Sequence, residues 1–345
     1  MAYPEVISVE NSVREELLAD HQGEKTDWVQ VGPKKYLLPS KCKTEMKIFL
    51  DIKTRPDDVW ISTFPRTGRN SSTGTTVTQE MVWLLMNNCD FEKAKGLNLF
   101  VRSPFLELDL FFHEETKNKL LEENADNEEN RIIIENMSKP VFETIDDMDS
   151  PRVIKTHFPP SLLPLDLEET GAKVIYLARN PMDVVLSFYH LTRLWRTSDY
   201  VNTFQQFCRQ FKEGLVPWAP FWEHVQEGWE RRNNRNYIFI FYEDMVKDMT
   251  ATIRKLMEFL EVEYDEETIA KLADHLNINN FKMNPSVNFE SLRNVGIFSK
   301  DEQSFIRQGN ERGNKNEFTE EMKESFRQWI NENYENTDLR FPSKH

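Results

Sequence analysis

Four short apolar runs constrain this chain more than any other feature: Val59-Trp60-Ile61-Ser62, Val153-Ile154, Val174-Ile175-Tyr176-Leu177-Ala178 and Tyr237-Ile238-Phe239-Ile240-Phe241. Runs this apolar have no polar face to give to water, so they suit strands covered on both sides, as in a parallel sheet. Helix-period segments lie between them. Val77, Met81, Leu84 and Leu85 fall at i, i+4, i+7 and i+8, one face of a 3.6-residue repeat. Similar patterns follow at Met182–Leu191 and Thr252–Leu260. Strand alternating with helix predicts an α/β fold, a central parallel sheet flanked by helices.

With 345 residues and neither an internal repeat nor a linker, the expectation is a single domain over 1–345 with its core at about 30–341. An acidic insertion is expected at about 113–136, its charges solvated. Residues 277–318, rich in Asn and poor in periodicity, read as a long loop.

Composition narrows the function. A net charge of −15 excludes a general polyanion binder, so no nucleic acid is expected as partner. An anionic ligand must be met by a few placed cations. The three cysteines include no CxxC pair, which suggests neither a disulfide framework nor a zinc knuckle. No apolar run approaches the ~20 residues of a membrane span. The N-terminus lacks a signal-peptide pattern, so Asn70-Ser71-Ser72 and Asn136-Met137-Ser138 read as chance sequons and the cytoplasm as the expected address.

Three stretches hold candidate chemistry. Ile61 to Thr76 reads as strand, polar loop and helix start, with Gly68 and Gly74 among hydroxyl side chains. Such a loop offers amides and a helix dipole to an anion, although by itself it is equally an ordinary polar connection. The spacing is P-loop-like but not that of a Walker A motif, and no Lys follows Gly74. In Arg152-Val153-Ile154-Lys155-Thr156-His157-Phe158-Pro159 a strand delivers Lys and His at its carboxyl end, where open α/β sheets bind ligands. His as base and Lys as charge stabiliser suit anionic group transfer; a structural His remains the other reading. In Ala178-Arg179-Asn180-Pro181-Met182-Asp183, Arg179 stands at a strand–helix junction, placed for a phosphate or for a structural ion pair.

Together these stretches resemble the cytosolic sulfotransferase family over about Gln30 to Phe341. The family carries a Thr/Ser-Tyr/Phe-Pro-Lys/Arg-Ser/Thr-Gly-Thr-Thr loop, a K-T-H-L/F-P strand end and an A-R-N-x-x-D-V-x-x-S junction. Its F-Y-E-D-M is matched by Phe241-Tyr242-Glu243-Asp244-Met245, and its F-I/M-R-K/R-G by Phe305-Ile306-Arg307-Gln308-Gly309. The Phe-rich composition, Arg66 and the acidic insertion look more like insect members, near retinol dehydratase.

The resemblance implies transfer of a sulfuryl group from 3′-phosphoadenosine 5′-phosphosulfate (PAPS) to a hydroxyl, with the bisphosphate PAP as product and no metal. It implies catalytic roles for His157 as base, Lys155 at the sulfuryl and bridging oxygen, and Arg66 as the loop cation. It assigns Arg66, Thr67, Gly74, Thr75 and Thr76 to the 5′-phosphate, Arg179, Ser187, Arg307 and Gly309 to the 3′-phosphate, and Tyr242 to the adenosine. Phe105, Leu106, Leu108, Leu110, Phe111, Phe112, Phe158 and Tyr189 fall in segments bordering the family's acceptor pocket. Their apolar character implies a small hydrophobic, hydroxyl-bearing acceptor, a phenol, steroid or other alcohol.

The chain departs from the family at several points. Six extra residues repeat the Thr-Gly of the phosphate loop, which predicts that Arg66 is displaced. Thr75-Thr76 is followed by Val77 rather than Trp, with Phe281 as a candidate replacement. The dimer motif reads Lys315, Thr319, Glu320, Glu324, with a charge at its apolar centre, so a monomer or weak homodimer is expected. Two other functions compete with sulfation: dehydration through a transient sulfate ester, and a catalytically weakened protein that binds PAP or a hydrophobe.

Overall fold

The computed structural model describes residues 3–67, 73–299 and 317–342. A small antiparallel sheet comes first, formed by β1 (Val6–Ser8), β2 (Trp28–Val31) and β3 (Tyr36–Pro39). The main sheet contains β4 (Val59–Thr63), β5 (Val153–Thr156), β6 (Lys173–Ala178) and β7 (Tyr237–Phe241). All its pairings are parallel and its order is β5-β4-β6-β7. The four apolar runs are therefore strands, and helices cover them as expected.

The register decides where function can lie. Ser62 pairs with Thr156 and with Tyr176, Thr63 with Leu177, and Ala178 with Phe241. Parallel strands in this register end together. The residues just beyond them, Arg66, His157, Arg179 and Tyr242, are thus brought to one edge, the usual ligand edge of an open α/β sheet.

Packing fixes the helices against this sheet. The helix Phe221–Glu230 lies so close to β6 that a Cβ on Gly228 would come within 2.5 Å of the Tyr176 ring. Below the other end of the sheet, Arg152 is fully buried and reaches Asp58 through Nε at 2.7 Å and Nη2 at 2.5 Å. It also donates to the carbonyls of Lys53 and Ile145. Removing one partner of a buried pair leaves an uncompensated charge. Arg152→Met should therefore cost about 3–5 kcal/mol of stability, read as a lower urea midpoint; an unchanged midpoint would contradict this role.

One expectation changes. The segment 277–318 is not one long loop: it holds the helices Ile278–Met283 and Glu290–Val295. Its Asn residues, read as loop formers, bond to nearby amides and start or bridge these turns. Asn277 Oδ1 accepts from Asn279 N, Asn284 Oδ1 from Ser286 N, and Asn288 Oδ1 from Glu290 N. The acidic insertion is a pair of helices, Glu114–Glu123 and Glu128–Ser138, which bury Leu120, Ile134 and Met137 while their charged faces stay exposed. Asn124 Nδ2 donates to the Val295 carbonyl at 2.9 Å, and Arg196 bonds both Glu123 and the Gly296 carbonyl. The insertion is thereby tied to Val295, Gly296 and Arg196, and Arg196 stands between Trp195 and Thr197 of the cavity described next.

Candidate active site

A cavity of ≈ 920 Å³, the open space at its mouth included, lies at the carboxyl edge of the main sheet. Lys155, His157, Arg66, Thr75 and Thr76 line one part of it. Phe105, Leu108, Phe111, Phe188, Leu191 and Trp218 line much of the rest. Polar groups thus converge on a largely apolar chamber.

His157 is held from several directions. Its amide donates to Glu107 Oε1 at 2.6 Å, and its carbonyl accepts from His224 Nε2 at 2.8 Å. Its ring Nδ1 lies 2.8 Å from the Thr63 carbonyl. A carbonyl only accepts, so Nδ1 carries the proton and Nε2 keeps its lone pair. Phe105 and Trp218 meet the ring edge-on at 4.9 and 5.2 Å. Burial, then the charge of Lys155, holds the imidazole well below its ordinary 6.5. It is therefore a neutral, oriented acceptor of a proton at physiological pH.

Lys155 projects from β5 with Nζ 3.7 Å from the centre of the Phe105 ring. Its backbone bonds to Pro104 and Leu106, so the segment 104–106 lies against β5 through one parallel bridge at Phe105. Burial pushes its ammonium down, Glu107 opposes that, and Arg66 adds to it.

The cations form a connected group. Arg66 has a left-handed backbone, φ 68°, at which a side chain is strained. Its Nε donates to Ser187 Oγ at 2.9 Å, and its carbonyl accepts from Arg179 Nη1 at 3.2 Å. Arg179 in turn lies 5.2 Å from the Tyr242 ring. At the start of the helix Thr73–Met86, Thr75 Oγ1 stands 3.2 Å from the hydroxyls of both Thr63 and Thr67. The Gly74 carbonyl accepts from Thr78 Oγ1. Arg66, Thr67, Thr75, Arg179, Ser187 and Tyr242 are thus gathered beside Lys155 and His157, and the longer loop has not carried Arg66 out of the cavity. Arg307, Gly309 and Gly68–Ser72 lie outside the described residues.

The apolar candidates divide. Phe105, Leu108 and Phe111 face the cavity, whereas Leu106, Leu110, Phe112 and Phe158 are core. Tyr189 packs on Tyr200, Phe204 and Phe207 instead. Phe281 is fully buried. Thr319 caps the helix Glu320–Tyr334, its hydroxyl accepting from Met322 N at 3.2 Å, which gives it a local role apart from any dimer.

Sequence reasoning missed Glu107, Trp218, Phe188 and Leu191. A carboxylate inside the apolar run Pro104-Phe105-Leu106-Glu107-Leu108 is itself a signal, because a charge placed there must find buried donors. Among the described residues, no group of three His, Cys, Asp or Glu could hold a metal, and no helix is long and apolar enough to cross a membrane.

Comparison with known proteins agrees with this geometry. Residues 56–338 match the family described as "Sulfotransferase domain". Sulfotransferase 4A1 of Mus musculus is 34% identical over 238 residues, 69% of this chain and 72% of the relative. Sulfotransferase 1E1 of Bos taurus is 31% identical over 294 residues, 85% and 89% of the two chains. Among solved structures, a retinol dehydratase in complex with retinol and PAP is 33% identical with a TM-score of 0.87, covering 98% of this chain and 99% of that one. A domain match across most of the length, on a parallel sheet whose edge gathers the expected cations and imidazole, places the chain in the cytosolic sulfotransferase family, as a PAPS-dependent sulfotransferase.

Proposed function

We propose that this sulfotransferase transfers the sulfuryl group of PAPS to the hydroxyl of a small hydrophobic alcohol or phenol, in the cytoplasm, with His157 as the general base. The observation that carries the reading is the open Nε2 of His157, in one cavity with Lys155 and Arg66. PAPS supplies an activated sulfuryl group with PAP as its leaving group. The protein's part is alignment and charge neutralisation. His157 Nε2 takes the acceptor proton. Lys155 and Arg66 meet charge that builds on the bridging and sulfuryl oxygens, so no metal is called for.

The residues fit a doubly phosphorylated nucleotide. Arg66, Thr67, Gly74, Thr75 and Thr76 serve the 5′-phosphate, where hydroxyls and the start of a helix meet a cation. Arg179 and Ser187, with Arg307 and Gly309, serve the 3′-phosphate, and Tyr242 stands beside the adenosine. A handful of clustered cations in a chain of net charge −15 favours one placed anion over general anion binding. A monomer or weak homodimer completes the reading.

The test is transfer from labelled PAPS to retinol, a steroid alcohol, a phenol and a catecholamine. Lipophilic alcohols and phenols should accept label well. The catecholamine should accept it poorly at its phenolic hydroxyl, because the apolar walls desolvate its ammonium. Preference for the catecholamine would overturn the acceptor class. The His157 environment adds a pH prediction. Burial favours the neutral ring, so kcat should hold as pH falls through 6.5 and decline only at lower pH; loss centred at 6.5 would contradict a buried base.

A second reading has its own support, the likeness to retinol dehydratase over 98% of the chain. On this reading the sulfate ester formed by this chain is a transient species that eliminates. Product analysis distinguishes the two: an alkene with free sulfate favours dehydration, and a stable sulfate ester favours simple transfer.

A further inference from the structure

Glu107 is a fully buried carboxylate that receives its hydrogen bonds from the reactive strand end and the cavity wall. Oε1 accepts from the His157 amide at 2.6 Å and from the Trp218 indole at 3.1 Å. Oε2 accepts from Thr156 Oγ1 at 2.8 Å, and that hydroxyl accepts in turn from the Phe158 amide at 2.9 Å. Trp218, so held, presents its face to Phe105 and Phe111 and meets His157 edge-on. One carboxylate therefore ties together the segment 104–107, the end of β5 and the tryptophan of the opposite wall.

The charges around it are few. Lys155 faces it from β5, and Arg66 faces Lys155 from the loop after β4. On the other side stand the Cys42 thiol, Glu45, Asp109 and Lys41. Lys41 already pairs with Asp109 at 2.7 Å and with Glu45 at 3.2 Å. Among the described residues, Lys155 is thus the cation left to balance Glu107, and Glu107 is an anion that favours charge on Lys155.

Resting on the roles given above to His157 and Lys155, we propose that Glu107 is a positioning residue for sulfuryl transfer: its oxygens, bonded to the His157 amide, the Thr156 hydroxyl and the Trp218 indole, set where the imidazole and Trp218 stand beside Lys155. Burial pushes the Lys155 ammonium down and Arg66 pushes the same way, while Glu107 opposes them; burial also raises the Glu107 carboxyl, against its bonds from His157 and Thr156 and the nearby Lys155, so each of the two groups favours charge on the other. Without the carboxylate, Lys155 loses its proton at lower pH and with it the power to meet charge on the leaving oxygen.

The test uses full-length protein with lysine labelled by ¹³C at Cε, the Lys155 resonance being the one absent from Lys155→Met. In Glu107→Gln, its titration midpoint should fall by about one pH unit, tenfold in proton affinity, and the alkaline limb of kcat should fall with it. Glu107→Asp should restore the midpoint but not the full rate, because the shorter side chain keeps the charge and loses reach to the His157 amide. An unmoved midpoint, with kcat lowered equally at every pH, would overturn the proposal and leave Glu107 a purely structural group. Should Glu107→Gln fail to fold, Thr156→Val carries the test. It takes one donor from the carboxylate, which then holds its proton longer, so the Lys155 midpoint should move the same way, and no movement overturns the proposal. Failure of the underlying reading is visible separately, as parental turnover in His157→Ala or Lys155→Met.

Discussion

His157→Ala is expected to lower kcat for sulfuryl transfer about 10²–10⁴-fold and to leave PAP affinity unchanged. The imidazole carries no charge at working pH, because burial and Lys155 both favour its neutral form. It therefore contributes little to holding an anionic nucleotide. Its contribution lies in the lone pair on Nε2, aimed by the bond from Nδ1 to the Thr63 carbonyl. A fall in kcat without a change in PAP affinity on calorimetry separates this role from a binding role. Parental turnover would show that another group takes the proton.

Lys155→Met is expected to cost about 10²–10³-fold in kcat. Methionine keeps an unbranched apolar stem against Phe105, where Nζ now lies 3.7 Å from the ring centre, so the change removes charge with little loss of packing. A second effect follows from the same electrostatics. The ammonium lowers the His157 pKa, so its loss lets that pKa rise toward 6.5. The residual activity should fall off at higher pH on the acid side than the parent's does. A uniform loss with an unmoved acid limb would place Lys155 far enough from the imidazole to break the proposed pair.

Much of the sheet and part of the site are legible in the sequence, for a physical reason. Parallel strands buried on both faces must be apolar throughout, so β4, β6 and β7 stand out as runs. The polar residues follow them, so Lys155, His157 and Arg179 stand out by their place at strand ends, whereas Arg66 and Tyr242 are read through the family motifs. The antiparallel strands β1 to β3 are only three or four residues long, and Gln30 interrupts β2, so they leave no comparable run. The helices at 278–283 and 290–295 escape notice because the side chains that accept their first amides, Asn277 and Asn288, are Asn, a residue equally at home in loops. The acceptor wall is the least legible part. Trp218, Phe188 and Phe105 meet there from separate elements, and no one-dimensional spacing encodes that meeting.

A crystal structure of the protein with PAP and a lipophilic alcohol tests the central claim most directly. The account predicts the alcohol oxygen within hydrogen-bond distance of His157 Nε2, and the 5′-phosphate within reach of Lys155, Arg66 and the Thr75 hydroxyl. An alcohol seated away from the imidazole, or a nucleotide bound on another face of the sheet, would contradict it.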